Sequence, residues 1–217
     1  GVARRMNTSG MFPNDVVFDE AGRLLLMSSG DRLTMFDATT GKIVGGPTPP
    51  ITRGEGVQIV RLAFGGAGTI AAAVDNDGFL HTFTVPELEP LQSRFGAQPD
   101  GAYAVAVSPD GRLAASGSDS GTIAIWSVET GELFGETLRG HDNRVLALRF
   151  GADSRRLLSL GQDGSIVSWG LDATEWIDTA CRIANRNLTE AEWTRCVGEA
   201  ECQPSCFATV AGVAVDD

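Results

Sequence analysis

The sequence predicts an all-β chain of about four repeated sheet units, followed by a short helical extension. Three observations predict it. Four segments each read apolar strand, polar turn, apolar strand, tight turn, apolar strand ending in an aromatic. Their closing aromatics, Phe36, Phe83, Trp126 and Trp169, fall 47, 43 and 43 residues apart. The apolar residues before the first turn, Phe18, Phe64, Val107 and Phe150, keep nearly the same period, at 46, 43 and 43. Two independent landmarks with one period mark a repeat architecture.

The runs between these landmarks are short and bounded by Gly, Asp, Asn and Ser. That is strand chemistry, because a helical repeat would show a 3.6-residue period. Unit one reads DVVFDEAGRLLLMSSGDRLTMFD and unit two VRLAFGGAGTIAAAVDNDGFLHTFT. Unit three reads YAVAVSPDGRLAASGSDSGTIAIWS and unit four LALRFGADSRRLLSLGQDGSIVSWG. A fourth short strand is expected at Gly41–Val44, Glu89–Gln92 and Gly131–Phe134. Four antiparallel strands in about 43 residues is the spacing of a β-propeller blade. A blade buries both faces against its neighbours, which accounts for the near-continuous apolar runs LRFG and LLSL in unit four. A sandwich or barrel also has many short strands but requires no fixed period. The predicted plan is a connector at 1–11, four blades at about 12–50, 57–95, 102–139 and 140–172, and an extension at 173–217.

Composition bounds the partners. The chain has 27 Gly in 217 residues, about 12% against a usual ~7%, which suits many tight turns. Its net charge of −11 argues against nucleic acid, which needs clustered Lys and Arg. The same charge provides solubility, or selects a basic partner surface. No apolar run approaches the ~20 residues of a membrane span. No secretory signal is visible, so a cytoplasmic location is expected. The chain opens on Gly1 and is read as a piece of something longer.

Unit four carries the polar constellation. Gly140-His141 opens it, Ser159 lies in its second strand, Asp163-Gly164 make its tight turn, and Trp169 closes it. On these residues it resembles a WD repeat, although Gly170 stands where that family has Asp. The resemblance implies a buried structural tetrad of His141, Ser159, Asp163 and Trp169. Hydrogen-bond chemistry supports the mapping. A neutral imidazole donates from one nitrogen and accepts at the other, a turn carboxylate can hold its N–H, and a Ser hydroxyl can bridge it to the indole N–H. Such a set pins the loop before the blade to the turn within it. Ser, His and Asp also invite a catalytic-triad reading, but no nucleophile elbow or oxyanion loop accompanies them. The other histidine, His81, reads as a surface or packing residue in a strand of unit two.

The remaining units depart from the pattern. Unit three keeps a partial tetrad, Ser116 and Trp126, with Ser120 at the turn-Asp position and no Gly-His before it. Unit two keeps Asp77-Gly78 but has Ala73 and Phe83, and unit one has Phe36 and a shortened turn at Gly30-Asp31. The resemblance spans about residues 12–170. Rings of such repeats usually need about seven blades to close, and four are visible. Unit four also lacks an outer strand before Gly170–Asp172, leaving an edge to be covered. Val2–Met6 is a candidate outer strand. The leading expectation is the C-terminal part of a longer propeller, and the second is an eight-bladed ring of two copies.

From Ala173 the periodicity becomes helical. Trp176, Ile177, Ala180, Ile183 and Ala184 share one apolar face. A second helix opens with Thr189 as N-cap, Glu192 at N3 and a Leu188/Trp193 staple. The capping role outweighs the glycosylation pattern Asn187-Leu188-Thr189. All four Cys lie here, with intervals of 15, 6 and 4 that lack the C-x2-C pairing of a zinc site. Disulfides, free thiols and a metal site all stay open on spacing alone. The passage EWIDTACRIANRNLTEAEWTRCVGEAECQPSC resembles the extension of bacterial, notably actinobacterial, WD-repeat proteins. That resemblance implies the pairs Cys181–Cys206 and Cys196–Cys202.

The expected function is a non-catalytic interaction or ligand-sensing module of a larger bacterial signalling protein. The partner, a protein or sensed ligand, would sit on the propeller faces, with no cofactor and no metal. Further blades would come from the same parent chain or a second copy. The alternatives are a self-assembling scaffold and, least favoured, a hydrolase-type propeller fragment.

Overall fold

Apolar runs flanked by tight turns become strands in the computed structural model, which describes residues 8, 10–52, 56–98 and 100–172, the side chains of Ser93, Arg94 and Ala97 excepted. Unit one is β1 (Pro13–Phe18), β2 (Leu24–Ser29), β3 (Arg32–Asp37) and β4 (Ile43–Gly45). Unit two is β5 (Ile59–Gly65), β6 (Ile70–Asp75), β7 (Phe79–Thr84) and β8 (Pro90–Ala97). Unit three is β9 (Ala102–Val107), β10 (Leu113–Ser118), β11 (Thr122–Ser127) and β12 (Leu138–Arg139). Unit four is β13 (Val145–Phe150), β14 (Arg156–Gly161) and β15 (Ile166–Gly170). Each unit is one meandering antiparallel sheet, four-stranded in units one to three and three-stranded in unit four among the described residues.

The sheets pack through the side chains that alternate across their strands. Leu26, Leu33 and Met35 of unit one meet Ile59, Leu62, Ala71, Ala73 and Phe83 of unit two in one apolar cluster. Ala72, Val74 and Leu80 of unit two meet Ala102, Val105, Val107, Ala114, Ala124 and Trp126 of unit three in the next. Burying one of these Leu, Val or Phe side chains contributes roughly 1.5–3 kcal/mol. The rows of Ala and Gly let neighbouring sheets approach closely. At Gly117 of β10, a Cβ would stand 2.6 Å from Val145 Cγ1 of β13, so no larger residue fits that seam without a shift.

The first strands, β1, β5, β9 and β13, each form one edge of their sheet and line a shared cavity of about 700 Å3. Phe18, Phe64, Val107 and Phe150, the landmark residues before the first turn, all face it.

Two expectations need correction, and a third is narrowed. The outer strand of unit three is Leu138–Arg139, paired with Thr122 and Ile123, rather than Gly131–Phe134. Leu133 makes only an isolated bridge to Trp126, and the chain turns at Gly135 (φ 76°) before strand pairing resumes. Of the two readings of His81, surface or packing, the structure takes the second: it is fully buried in β7. Unit four does not bury both faces. Its strands alternate, with Leu157 and Ser159 buried while Leu158 and Leu160 are exposed. The apolar run LLSL therefore reports a sheet with one open face.

The chain divides into two compact units, 1–168 and 169–217. Of the second, only Trp169–Asp172 is described, and Trp169 is half-buried there. The Val2–Met6 strand, both helices of the extension, and the pairs Cys181–Cys206 and Cys196–Cys202 lie outside the described residues. Among the described residues no helix is long and apolar enough to cross a membrane.

Candidate functional site

The site is built by a loop, a strand and a turn. Gly140-His141 precede β13, Ser159 sits in the middle of β14, and Asp163 occupies the tight turn to β15. Alternation along β14 turns Ser159 inward, and it and His141 are both buried. His141 Nε2 lies 2.6 Å from Ser159 Oγ, and Nδ1 lies 3.2 Å from Asp163 Oδ2 and 2.9 Å from Ser165 Oγ. An ionised carboxylate only accepts, so the proton belongs on Nδ1 and the Ser159 hydroxyl donates to Nε2. Ser165, which the sequence reading passed over, also donates to Asp163 Oδ1 through its N–H (2.8 Å) and its hydroxyl (2.6 Å). The Asp142 N–H donates to Asp163 Oδ2 at 3.0 Å. Gly161 makes room for the imidazole, because a Cβ there would collide with His141 Nδ1.

These donors set the electrostatics. The Ser165 hydroxyl and N–H, then the Asp142 N–H and the His141 ring, hold the Asp163 carboxyl well below the usual carboxylate range, against a smaller upward push from burial. The carboxylate is thus a stable acceptor anchor for the imidazole.

Unit three builds the same network from different residues. Gln98 stands 43 residues before His141. Its side-chain amide donates to Ser116 O at 3.0 Å and lies 3.3 Å from Ser116 Oγ. The Trp126 indole N–H donates to Ser116 Oγ at 3.0 Å. At the other end, the Thr122 hydroxyl donates to Gln98 Oε1 at 3.3 Å, and Thr122 joins Ser118 at 2.8 Å. The amide therefore does with O and N what an imidazole does with two ring nitrogens. The 43-residue period points to Gln98, but a search for Gly-His passes over it.

Unit two diverges further. His81 Nε2 lies 3.0 Å from Asp75 Oδ2, and both side chains are 1% exposed. The other oxygen of Asp75 accepts from the Asp77 and Phe79 N–H groups, at 3.1 and 2.9 Å. Among the described residues His81 Nδ1 has no hydrogen-bond partner. The tautomer with its proton on Nε2 leaves Nδ1 as a bare acceptor, which costs less than an unpaired N–H would.

The networks also join successive units. The Gly121 turn of unit three presses on the loop of unit four, so closely that a Cβ there would collide with His141 O. Arg144 closes the same seam: its guanidinium binds Asp119 through Nε and lies 4.0 Å from the centre of the Tyr103 ring. Among the described residues no group of three or more His, Cys, Asp or Glu could hold a metal ion.

Comparison with known proteins fits this geometry. The family model described as WD domain, G-beta repeat matches residues 89–127 and 134–170, the segments that contain Ser116–Trp126 and His141–Ser159–Asp163. A crystal structure of the computationally designed Ika4 protein is similar at 20% identity, covering 77% of this chain and 96% of that one with a TM-score of 0.60, a likeness of fold alone. No curated protein matches significantly. The repeat matches and the succession of antiparallel sheets together support a WD-repeat β-propeller.

Proposed function

We propose that this chain is a non-catalytic interaction module, with His141, Ser159, Asp163 and Trp169 acting as a structural latch. One observation carries the reading: among the described residues, the Ser–His–Asp set that matches a triad's residue types is consumed by internal bonds. Ser159 is 2% exposed and its hydroxyl is held by the His141 ring. The carboxylate is engaged by Ser165 and Asp142 as well as the imidazole. A nucleophile needs a path to substrate and a base whose proton affinity suits its task. The partner in this reading is a protein or sensed ligand held on loops and sheet surfaces. The setting is a larger signalling protein.

A broad hydrolase screen of the chain and of Ser159→Ala tests it. The expected result is a lowered melting temperature for the variant and no turnover by either. Turnover by the parent chain that Ser159→Ala abolishes would contradict the reading.

A second reading has its own support in the open face of unit four. There the chain acts as a scaffold that assembles with further sheets, from a longer parent chain or a second copy. Leu146, Leu158, Leu160 and Ile166 remain 45%, 45%, 37% and 72% exposed on that unit. Contiguous apolar surface of this kind marks interaction sites.

A further inference from the structure

We propose that the latch of unit four is a proton-operated relay. The buried His141 ring takes up a second proton at Nε2, the Ser159 hydroxyl turns from Nε2 to Val167 O, and the loop stays pinned. This rests on the latch reading of the same site and adds what the latch does when the pH changes.

The two states differ by one proton and by no heavy-atom bond. In the neutral state Nδ1–H is held by Asp163 Oδ2 and Ser165 Oγ, and Ser159 donates to Nε2 at 2.6 Å. A proton from solvent that adds at Nε2 takes the ring charge from 0 to +1 and makes Nε2 a donor. Ser159 Oγ then accepts that N–H through a lone pair. Its own hydroxyl proton needs a new acceptor, and Val167 O lies 3.5 Å away. Every N–H and O–H of the set therefore has an acceptor in both states. That matters because the His141 side chain is fully buried, where a stranded donor is costly.

Unit three shows that the reversed polarity fits this fold. There the loop residue, Gln98, points its amide donor at the strand serine, 3.0 Å from Ser116 O and 3.3 Å from Ser116 Oγ. At its other end it accepts from Thr122. The donor toward the serine is the arrangement that the charged His141 ring adopts. An amide takes up no proton in this range, so the latch of unit three has one fixed polarity, and that of unit four has two.

The charged groups around the ring are Asp163 on the turn, Asp142 beside His141 in the loop, and the Asp119–Arg144 pair at the seam with unit three. β14 and β15 bring the neutral Ser159, Ser165 and Val167. Proton uptake removes one negative charge from this loop end of unit four while the shape is kept. A partner held on these loops meets a less acidic surface as the pH falls through the histidine range.

The test joins a titration to a mutant cycle. Nitrogen NMR of the unaltered chain follows the His141 ring, assigned by its loss in His141→Gln. On going from about pH 8 to about pH 5, Nε2 should change from a bare to a protonated ring nitrogen, with Nδ1 protonated throughout. Urea unfolding of the parent chain, His141→Ala, Ser159→Ala and the double variant is then run at both pH values. The two residues should be coupled at least about fivefold in the unfolding constant at each pH. His81 is common to all four proteins and cancels. A ring that takes up no proton by pH 5, or a coupling present at pH 8 and lost at pH 5, would overturn the relay and leave the latch standing. Additive costs at pH 8 would instead sink the latch itself.

Discussion

Units three and four share one chain pattern but finish it differently. Unit three buries both faces: one meets unit two through Val105, Ala114 and Trp126, and the other lets Val145 of unit four reach Gly117. Unit four buries only the face that carries Ser159. The polar networks run the other way. Unit three uses a neutral amide, Gln98, while unit four uses an imidazole tied to a carboxylate. The difference teaches that the latch and the seam are separable. A unit can lack a covered face and still be pinned from within, and the unit with the open face has the more charged latch.

The largest expected effect falls on that latch. His141→Ala should cost about 2–4 kcal/mol, because it strands Ser159 and Asp163 without a ring between them. Gln98→Ala should cost less, about 1–2 kcal/mol, because Trp126 still donates to Ser116. Urea midpoints of the two variants measure the gap, and equal costs would break the ranking. Next comes the seam. Gly117→Val should cost about 1–3 kcal/mol by overpacking against Val145, whereas Leu160→Val at the equivalent open position should stay within about 0.5 kcal/mol.

Acid should separate the units as well. Asp163 has a lowered folded value, held down first by the Ser165 hydroxyl. Such a group adds stability that is present above the unfolded value, about 3.9, and is lost as pH falls through that value toward the folded one. The parent chain should therefore lose more stability below about pH 4 than Asp163→Asn does. Parallel pH profiles of the two proteins would remove Asp163 from the latch. The smallest effect is expected at Ile166→Thr, which should leave the melting temperature nearly unchanged because the side chain is 72% exposed.

Much of this was legible in the residues. The recurrence of an aromatic at Phe36, Phe83, Trp126 and Trp169 placed every third strand, and Gly-rich turns placed the hairpins between them. The spacing of His141, Ser159 and Asp163 along loop, strand and turn drew attention to residues that the fold brings within 3.2 Å. What was not legible depends on what lies across a seam. Leu158 and Leu160 look like core residues in any window, and their exposure follows from the lack of a covering sheet among the described residues. The hydrogen bond of His81 with Asp75 was not legible, because Asp75 sits in the adjacent strand six residues earlier and only the pairing of β6 with β7 brings them together. Nothing in the residue type of Ser165 singles it out, yet it donates to Asp163 with both its N–H and its hydroxyl. Gln98 was hidden by its residue type, since the period identifies the position but not that an amide can replace a ring.

The central claim is that His141 and Ser159 act as one structural unit. A double-mutant cycle tests it directly, with urea unfolding of His141→Ala, Ser159→Ala and the double variant. Two groups joined at 2.6 Å in a buried network should be coupled by about 1–2 kcal/mol, so the double variant should cost clearly less than the two single costs combined. Costs that add to within about 0.3 kcal/mol would show that the two residues act independently, and would contradict the latch.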